Sequence, residues 1–154
     1  MVADTTHERR KLRWRVELLW HDHALGRNGP EDMPIRVEGI HERVISASAG
    51  DSHTMALTSE GHLWGWGTYK DSNGTIGFSA ATREAQHPIK LALPSVRSIA
   101  SGSNHTLAVS TRDELFSWGC GEQHQLGRRL LPGRQAEHLQ PTRPLVIKSQ
   151  RKQI

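Results

Sequence analysis

Residues 44–67 read VISASAGDSHTMALTSEGHLWGWG, residues 96–119 read VRSIASGSNHTLAVSTRDELFSWG, and the two stretches align without a gap at an offset of 52 residues. A second landmark repeats alongside them, because glycines at positions 26, 77 and 127 each follow a leucine or an isoleucine, at spacings of 51 and 50. A period of about fifty residues is typical of propeller blades rather than of helical repeats. The aligned landmark pairs are Gly50 with Gly102, His53 with His105, Trp66 with Trp118 and Gly67 with Gly119.

Each repeat is predicted to form short antiparallel strands. Val44–Ala49 alternates in part, and His53–Thr58 and Gly61–Trp66 are two runs joined by the turn sequence Ser59-Glu60-Gly61. No window of eleven residues shows the spacing of apolar residues that a helix requires. We expect the repeated glycines to lie at strand ends, where a positive φ or a close approach of two chain segments excludes other residues.

The composition suits a β protein with a small core. Of 154 residues, 35% are hydrophobic and 5% are aromatic, which is little material for a closed core and points to incomplete closure. The 14 glycines and 7 prolines fit many short elements joined by turns. The single cysteine, Cys120, excludes an intramolecular disulfide and favours a reducing intracellular compartment. Because no apolar run is long enough to span a bilayer, the membrane is not expected to be a partner.

The net charge of +4 is concentrated near the carboxyl end. Residues 44–127 carry five basic and seven acidic side chains, whereas residues 128–154 carry seven basic side chains and one acidic side chain. A slightly acidic body does not favour contact with a phosphate backbone. The basic segment could instead bind DNA or histones, or it could be a solvated, disordered end. A second basic cluster, Arg9–Arg15, is either a nuclear-import signal or the polar face of a strand.

The motifs GDSHTMALT (Gly50–Thr58) and WGCGEQHQLGR (Trp118–Arg128) resemble the regulator of chromosome condensation family, whose fold is a seven-bladed β-propeller. The resemblance implies an all-β, incomplete β-propeller of two full blades and partial flanking blades, open rather than closed. We expect a divergent segment with a strand pattern at 1–22, propeller repeats at 23–127 and a basic, flexible tail at 128–154. Because two blades cannot cover each other's outer faces, we also expect marginal stability, dependence on a partner, or self-association through the open faces.

The resemblance also implies a function, because the family includes the guanine-nucleotide exchange factor for the small GTPase Ran. Such a factor makes and breaks no covalent bond, needs no cofactor, and binds the nucleotide-free GTPase better than the nucleotide-bound form. We therefore expect a Ran-binding protein that is not an enzyme in the covalent sense, with weak or absent exchange activity because of truncation. The alternative is a non-catalytic propeller fragment that binds protein or chromatin. The expected compartment is the nucleus, with the cytoplasm as the alternative.

The family resemblance also assigns candidate GTPase-binding residues. Asp51, in the GDSH motif, matches an acidic residue on the family's GTPase-binding face, whereas Asn104 is neutral at the position of a second acidic contact. The family inserts a protruding hairpin into the GTPase, and the segment after Trp66 is two residues longer here than its counterpart after Trp118. An ordinary blade loop is the alternative for this segment. Its residues are Tyr69, Lys70, Asp71, Ser72, Asn73, Gly74, Thr75 and Ile76.

No catalytic residue or metal site is expected. His53 and His105 precede threonine at equivalent repeat positions, which indicates histidines hydrogen-bonded within each blade rather than metal ligands or bases. His21-Asp22-His23 lacks a third and a fourth ligand at a recognised spacing. Cys120 lies between two glycines without an adjacent base, so it is predicted to be a small packed residue rather than a nucleophile.

Overall fold

The repeat aligned in the sequence folds into two antiparallel sheets. The computed structural model describes residues 25–30, 32–128 and 133–143. The first sheet has the strand order β1-β2-β3-β6, the second has the order β7-β8-β9, and β4 pairs with β5 in a separate hairpin. The elements are β1 Val44–Ala49, β2 His53–Thr58, β3 Leu63–Gly67, β4 Tyr69–Asp71, β5 Gly74–Gly77, β6 Ala85–Lys90, β7 Val96–Ser101, β8 His105–Ser110, β9 Leu115–Gly119 and the one-turn helix α1 Gln135–His138.

The two sheets share one register. In the first sheet Thr54 lies opposite Ala49, and in the second Thr106 lies opposite Ser101. The first strand pair of each sheet is also interrupted by an irregularity at the same repeat position, close to its first residue. Because side chains alternate across a strand, a shared register makes equivalent residues face the same way in both sheets. The two repeats are therefore two copies of one blade.

The core lies between the two blades, where β1 and β2 pack against β7. A hydrogen bond joins the blades at their first strands, because the Ser101 N–H donates to Ser48 Oγ at 2.7 Å. The repeated tryptophans are both buried in this core, as the repeat pattern requires of large apolar side chains. The main buried residues are Met55, Leu57, Leu63, Trp66, Tyr69 and Phe78 from the first repeat and Val96, Ala108, Phe116 and Trp118 from the second.

One face of the second blade is open, whereas the equivalent face of the first blade is covered. His53, Met55 and Leu57 of β2 are fully buried, whereas their equivalents in β8 are half-buried. Leu115 is 41% exposed, while its counterpart Leu63 is 1% exposed. The all-β, open propeller fragment expected from the sequence is thus confirmed in the described residues. Self-association through this face stays a prediction.

The carboxyl segment differs from the flexible tail expected from residue 128 onward. In residues 133–143 the chain folds back on the second blade, where Leu139 is buried and Thr142 forms a bridge with Ser117. The Arg128 guanidinium donates to the carbonyls of Ser117, His138 and Gln140 at 3.2, 3.3 and 3.2 Å. Charge counting missed this packing because a basic side chain can serve as a multiple hydrogen-bond donor inside a fold.

Several sequence predictions lie outside the described residues. They concern the strand pattern of residues 1–22, the basic cluster Arg9–Arg15 and the His21-Asp22-His23 triplet. Within the described ranges, no helix has the length and apolar character needed to cross a bilayer.

Candidate functional site

The predicted GTPase-binding residues gather at one end of the two blades. In each blade the first strand turns into the second, and the third strand stops, at this same end. The Asp51 N–H donates to the Ser103 carbonyl at 2.8 Å, which ties the equivalent loops of the two blades together. Asp51 itself is exposed and Asn104 is half-buried. We call the loops at 50–52, 68–77, 102–104 and 120–122 the hairpin end.

The segment expected to protrude is a β-hairpin. Strands β4 and β5 pair around the two-residue turn Ser72-Asn73. The Asn73 N–H donates to Asp71 Oδ1 at 2.8 Å, a local hydrogen bond that stabilises a tight turn. The tip residues Ser72, Asn73 and Gly74 are exposed, so they are available to a partner.

Tyr69 requires a correction, because its side chain is fully buried instead of available to a partner. Its ring lies 4.4 Å from the His53 ring and stacks on Phe78 at 6.2 Å, both measured between centroids. Its hydroxyl is 2.9 Å from Thr106 Oγ1, in the second blade. Burial raises the pKa of the Tyr69 phenol, which keeps it neutral and able to donate. Tyr69 is therefore the root of the hairpin and no contact residue.

His53 also differs from its prediction, because its hydrogen bond crosses between blades. Its Nε2 lies 3.1 Å from Thr106 Oγ1, whereas the sequence suggested a partner in the same blade. Thr106 Oγ1 thus joins His53 of the first blade to Tyr69 of the hairpin. Burial, and secondly the nearby His105, lower the pKa of His53 to about 4, so the ring is neutral at pH 7.

This buried histidine predicts an acid-sensitive fold. Its pKa is about 4 in the folded chain and about 6.5 when unfolded, so the unfolded state binds the proton more readily between these values. The contribution of the neutral His53 to the free energy of unfolding should be complete above pH 6.5. The free energy of unfolding should then decrease by about 3 kcal/mol as the pH falls toward 4. Urea unfolding followed by tryptophan fluorescence at several pH values measures this slope. His53→Asn should flatten it, and an unchanged slope would contradict the assigned role.

Glu122 belongs to the hairpin end, although nothing in the sequence singled it out. Its carboxylate accepts the Ser72 N–H at 2.9 Å on Oε2 and the Ser72 hydroxyl at 2.6 Å on Oε1. These hydrogen bonds lower the pKa of Glu122. A contact between residues 50 positions apart leaves no local pattern, and only the stacking of the blades brings the two together.

The chain also brings together one group of side chains with metal-ligating atoms, at the end opposite the hairpin. His62 Nδ1 lies 2.8 Å from Glu42 Oε1 and 3.8 Å from Glu60 Oε2. Among the described residues, this is the one set of three such groups within ligand distance of each other. Glu60 is exposed and His62 is already hydrogen-bonded to Glu42, so we assign these side chains a structural role near the turn between β2 and β3.

Cys120 is a buried residue of the hairpin end, with its Sγ 3.9 Å from Glu122 Oε2. A buried free cysteine packs as a small apolar side chain. Cys120, which directly follows β9, is therefore a packed structural residue.

Comparison with known proteins agrees with this architecture. Two family models described as Regulator of chromosome condensation (RCC1) repeat match the chain, one over residues 60–109 and 112–152 and the other over 44–74 and 96–125. The human Regulator of chromosome condensation is 42% identical over 111 residues, which cover 68% of this chain and 26% of that protein. The Saccharomyces cerevisiae Guanine nucleotide exchange factor SRM1 is 31% identical over 115 residues, which cover 72% and 23%.

A solved structure is similar in fold. Prp20p from Saccharomyces cerevisiae, characterised for its binding to Gsp1p and histones, matches with a TM-score of 0.74 at 26% identity. The match covers 79% of this chain and 31% of Prp20p. The chain therefore spans about a quarter to a third of the length of the relatives that it matches.

Proposed function

The chain belongs to the regulator of chromosome condensation repeat family, and from this premise we propose that its hairpin end binds a Ran-type small GTPase. The exposed hairpin tip would enter the GTPase beside its nucleotide site, and the exposed Asp51 carboxylate would contact a basic group nearby. We further propose that the protein works in the nucleus.

One observation carries this proposal: an exposed carboxylate, a polar loop and an exposed hairpin tip lie side by side although they are far apart in sequence. Asp51 is bonded to the 102–104 loop through the Ser103 carbonyl at 2.8 Å. In the same loop, Asn104 Oδ1 accepts the Lys70 N–H of the hairpin at 3.1 Å. The stacking of two blades thus supports a continuous surface that neither repeat would form alone.

The charges of the hairpin end suit a basic partner. Asp51, Asp71 and Glu122 are acidic and only Lys70 is basic among the residues of the four loops. Complementary charge at an interface speeds association and selects the partner. The GTPase surface that meets this end should therefore be basic, and binding should weaken as salt increases.

Nucleotide exchange of this kind requires an ordered segment that inserts into the GTPase rather than a chemically reactive side chain. A ligand shifts an equilibrium only by its differential affinity for the two states, here the nucleotide-free and nucleotide-bound GTPase. A hairpin that is already ordered loses little entropy when it enters the partner. Because the chain spans only part of its relatives' length, we expect binding of the nucleotide-free GTPase to survive better than acceleration of exchange.

Release of a fluorescent guanine nucleotide from Ran, together with capture of nucleotide-free Ran by the full chain, tests this function. The wild-type chain should capture nucleotide-free Ran, and Asp51→Asn should weaken capture. Asp113→Asn is the matched control, because Asp113 is exposed in the turn between β8 and β9, at the opposite end. Absence of capture and of accelerated release would overturn the proposal.

Asn104→Asp should strengthen the proposed interaction. Asn104 Oδ1 accepts the Lys70 N–H, and an aspartate keeps this acceptor while it adds the charge that the family carries here. Because a charge-assisted hydrogen bond is worth about 1.5–3 kcal/mol, affinity for nucleotide-free Ran should rise by at least about tenfold. Titration of labelled Ran measures the change. Ser59→Asp adds the same charge in the β2–β3 turn, and an equal gain from that variant would mean a non-specific charge effect.

A second candidate function is chromatin binding through the basic residues 128–154. These residues carry seven basic side chains and one acidic side chain, and the structural relative Prp20p binds histones. Nucleosome binding that falls steeply with salt, without capture of Ran, would favour this candidate over the first.

A further inference from the structure

We propose that Glu122 is a positioning residue that holds the hairpin tip in the orientation required by the GTPase. The inference rests on the proposed function, and it adds a residue for which the family resemblance gave no role. Its basis is the pair of hydrogen bonds from Ser72 to the Glu122 carboxylate, at 2.9 and 2.6 Å.

Hydrogen bonds join the hairpin to the second blade at three places. At its root, the Tyr69 hydroxyl meets Thr106 at 2.9 Å. Along its side, the Lys70 N–H donates to Asn104 at 3.1 Å. At its tip, Ser72 donates twice to Glu122.

The tip attachment matters because a two-stranded hairpin is marginally stable on its own. The Ser72-Asn73 turn is exposed and lies beyond the packed root, so core burial does not fix its direction. The Asp71–Asn73 hydrogen bond shapes the turn but does not tie it to the blades. The Glu122 carboxylate, by contrast, joins the tip to the second blade.

Two substitutions of Glu122 distinguish a positioning role from a direct ionic contact with the GTPase. A glutamine at position 122 can accept the Ser72 N–H with its oxygen and donate to Ser72 Oγ with its nitrogen, so it preserves the geometry without the charge. An alanine removes both hydrogen bonds. A positioning role therefore predicts that Glu122→Gln retains most function and Glu122→Ala does not. A direct ionic contact between Glu122 and the GTPase predicts that the two variants fail alike.

Amide hydrogen exchange of the full chain, without any partner, tests the attachment itself. Exchange of the Ser72 amide should be about three- to tenfold faster in Glu122→Ala and close to wild type in Glu122→Gln. The exchange rates of the β2 amides should not change in either variant, and this result would show that the fold is intact. Gln123→Ala is the control, since it alters the neighbouring exposed side chain. Unchanged Ser72 exchange in Glu122→Ala would overturn the inference.

Affinity for nucleotide-free Ran then tests the functional consequence. Apparent affinity falls with the fraction of the chain whose tip is correctly placed, so Glu122→Ala should bind about three- to tenfold more weakly. Glu122→Gln should restore most of the affinity. Equal losses in both variants, or no loss in Glu122→Ala, would overturn the positioning role. If the wild-type chain failed to bind Ran, the proposed function would fail, while the exchange data would still decide whether Glu122 holds the tip.

Discussion

Replacing Tyr69 with alanine should lower the free energy of unfolding by about 3–5 kcal/mol, the range for removing a buried aromatic ring. The Tyr69 side chain is fully buried between His53, Phe78 and Thr106, so the change would empty a cavity at the junction of both blades and the hairpin. Small domains are stable by about 5–15 kcal/mol, which makes this loss a large part of the total. Urea unfolding at pH 7 measures it.

Tyr69→Phe is the matched control. It keeps the ring and its packing and removes the hydroxyl that meets Thr106, so its cost should be about 1 kcal/mol. Thr106 would still have His53 within hydrogen-bonding distance. If Tyr69→Ala cost no more than Tyr69→Phe, the ring would not be the packed root of the hairpin.

Gly50→Ala should destabilise the fold by about 3 kcal/mol, the upper part of the range for overpacking. A Cβ at position 50 would lie 2.1 Å from His53 Cε1 and 2.6 Å from the Gly102 carbonyl oxygen. The His53 ring cannot move aside easily, because it is buried and bonded to Thr106. The backbone oxygen of the next blade blocks the other direction.

Gly102→Ala makes the same chemical change in the second blade and should cost less than about 1 kcal/mol. A Cβ there would also crowd a histidine ring, at 2.2 Å from His105 Cε1, but each of its three nearest atoms belongs to that side chain. His105 is half-buried on the open face, so its ring can shift with less repacking than that of the fully buried His53. Equal costs for the two variants would contradict the difference between a covered and an open blade.

The sequence predicted the blades well because their signals are local. Alternating strands, the turn after Thr58 and the extra residues after Trp66 are short patterns with direct backbone consequences. The repeat of Gly50 and His53 at Gly102 and His105 also indicated a structural contact. The repeat did not show why glycine is needed there, which is that the histidine ring lies against it.

Contacts between repeats were predicted poorly, for a physical reason. An alignment of two copies shows which positions are equivalent, but it does not show whether a side chain bonds within its own blade or across to the next. The prediction for His53 therefore names the wrong blade, and the prediction that Tyr69 is a contact residue is wrong because Tyr69 is the buried root of the hairpin. Glu122 was missed because its partner Ser72 is distant in the sequence.

The most direct test is an amide-exchange footprint of nucleotide-free Ran on the full chain. We predict slower exchange at the 50–52 loop, the hairpin tip and the 102–104 loop, with the β2–β3 turn at 59–62 unchanged. Protection confined to the 59–62 turn or to the open face of β8, or no protection anywhere, would contradict a GTPase-binding surface built from two stacked blades.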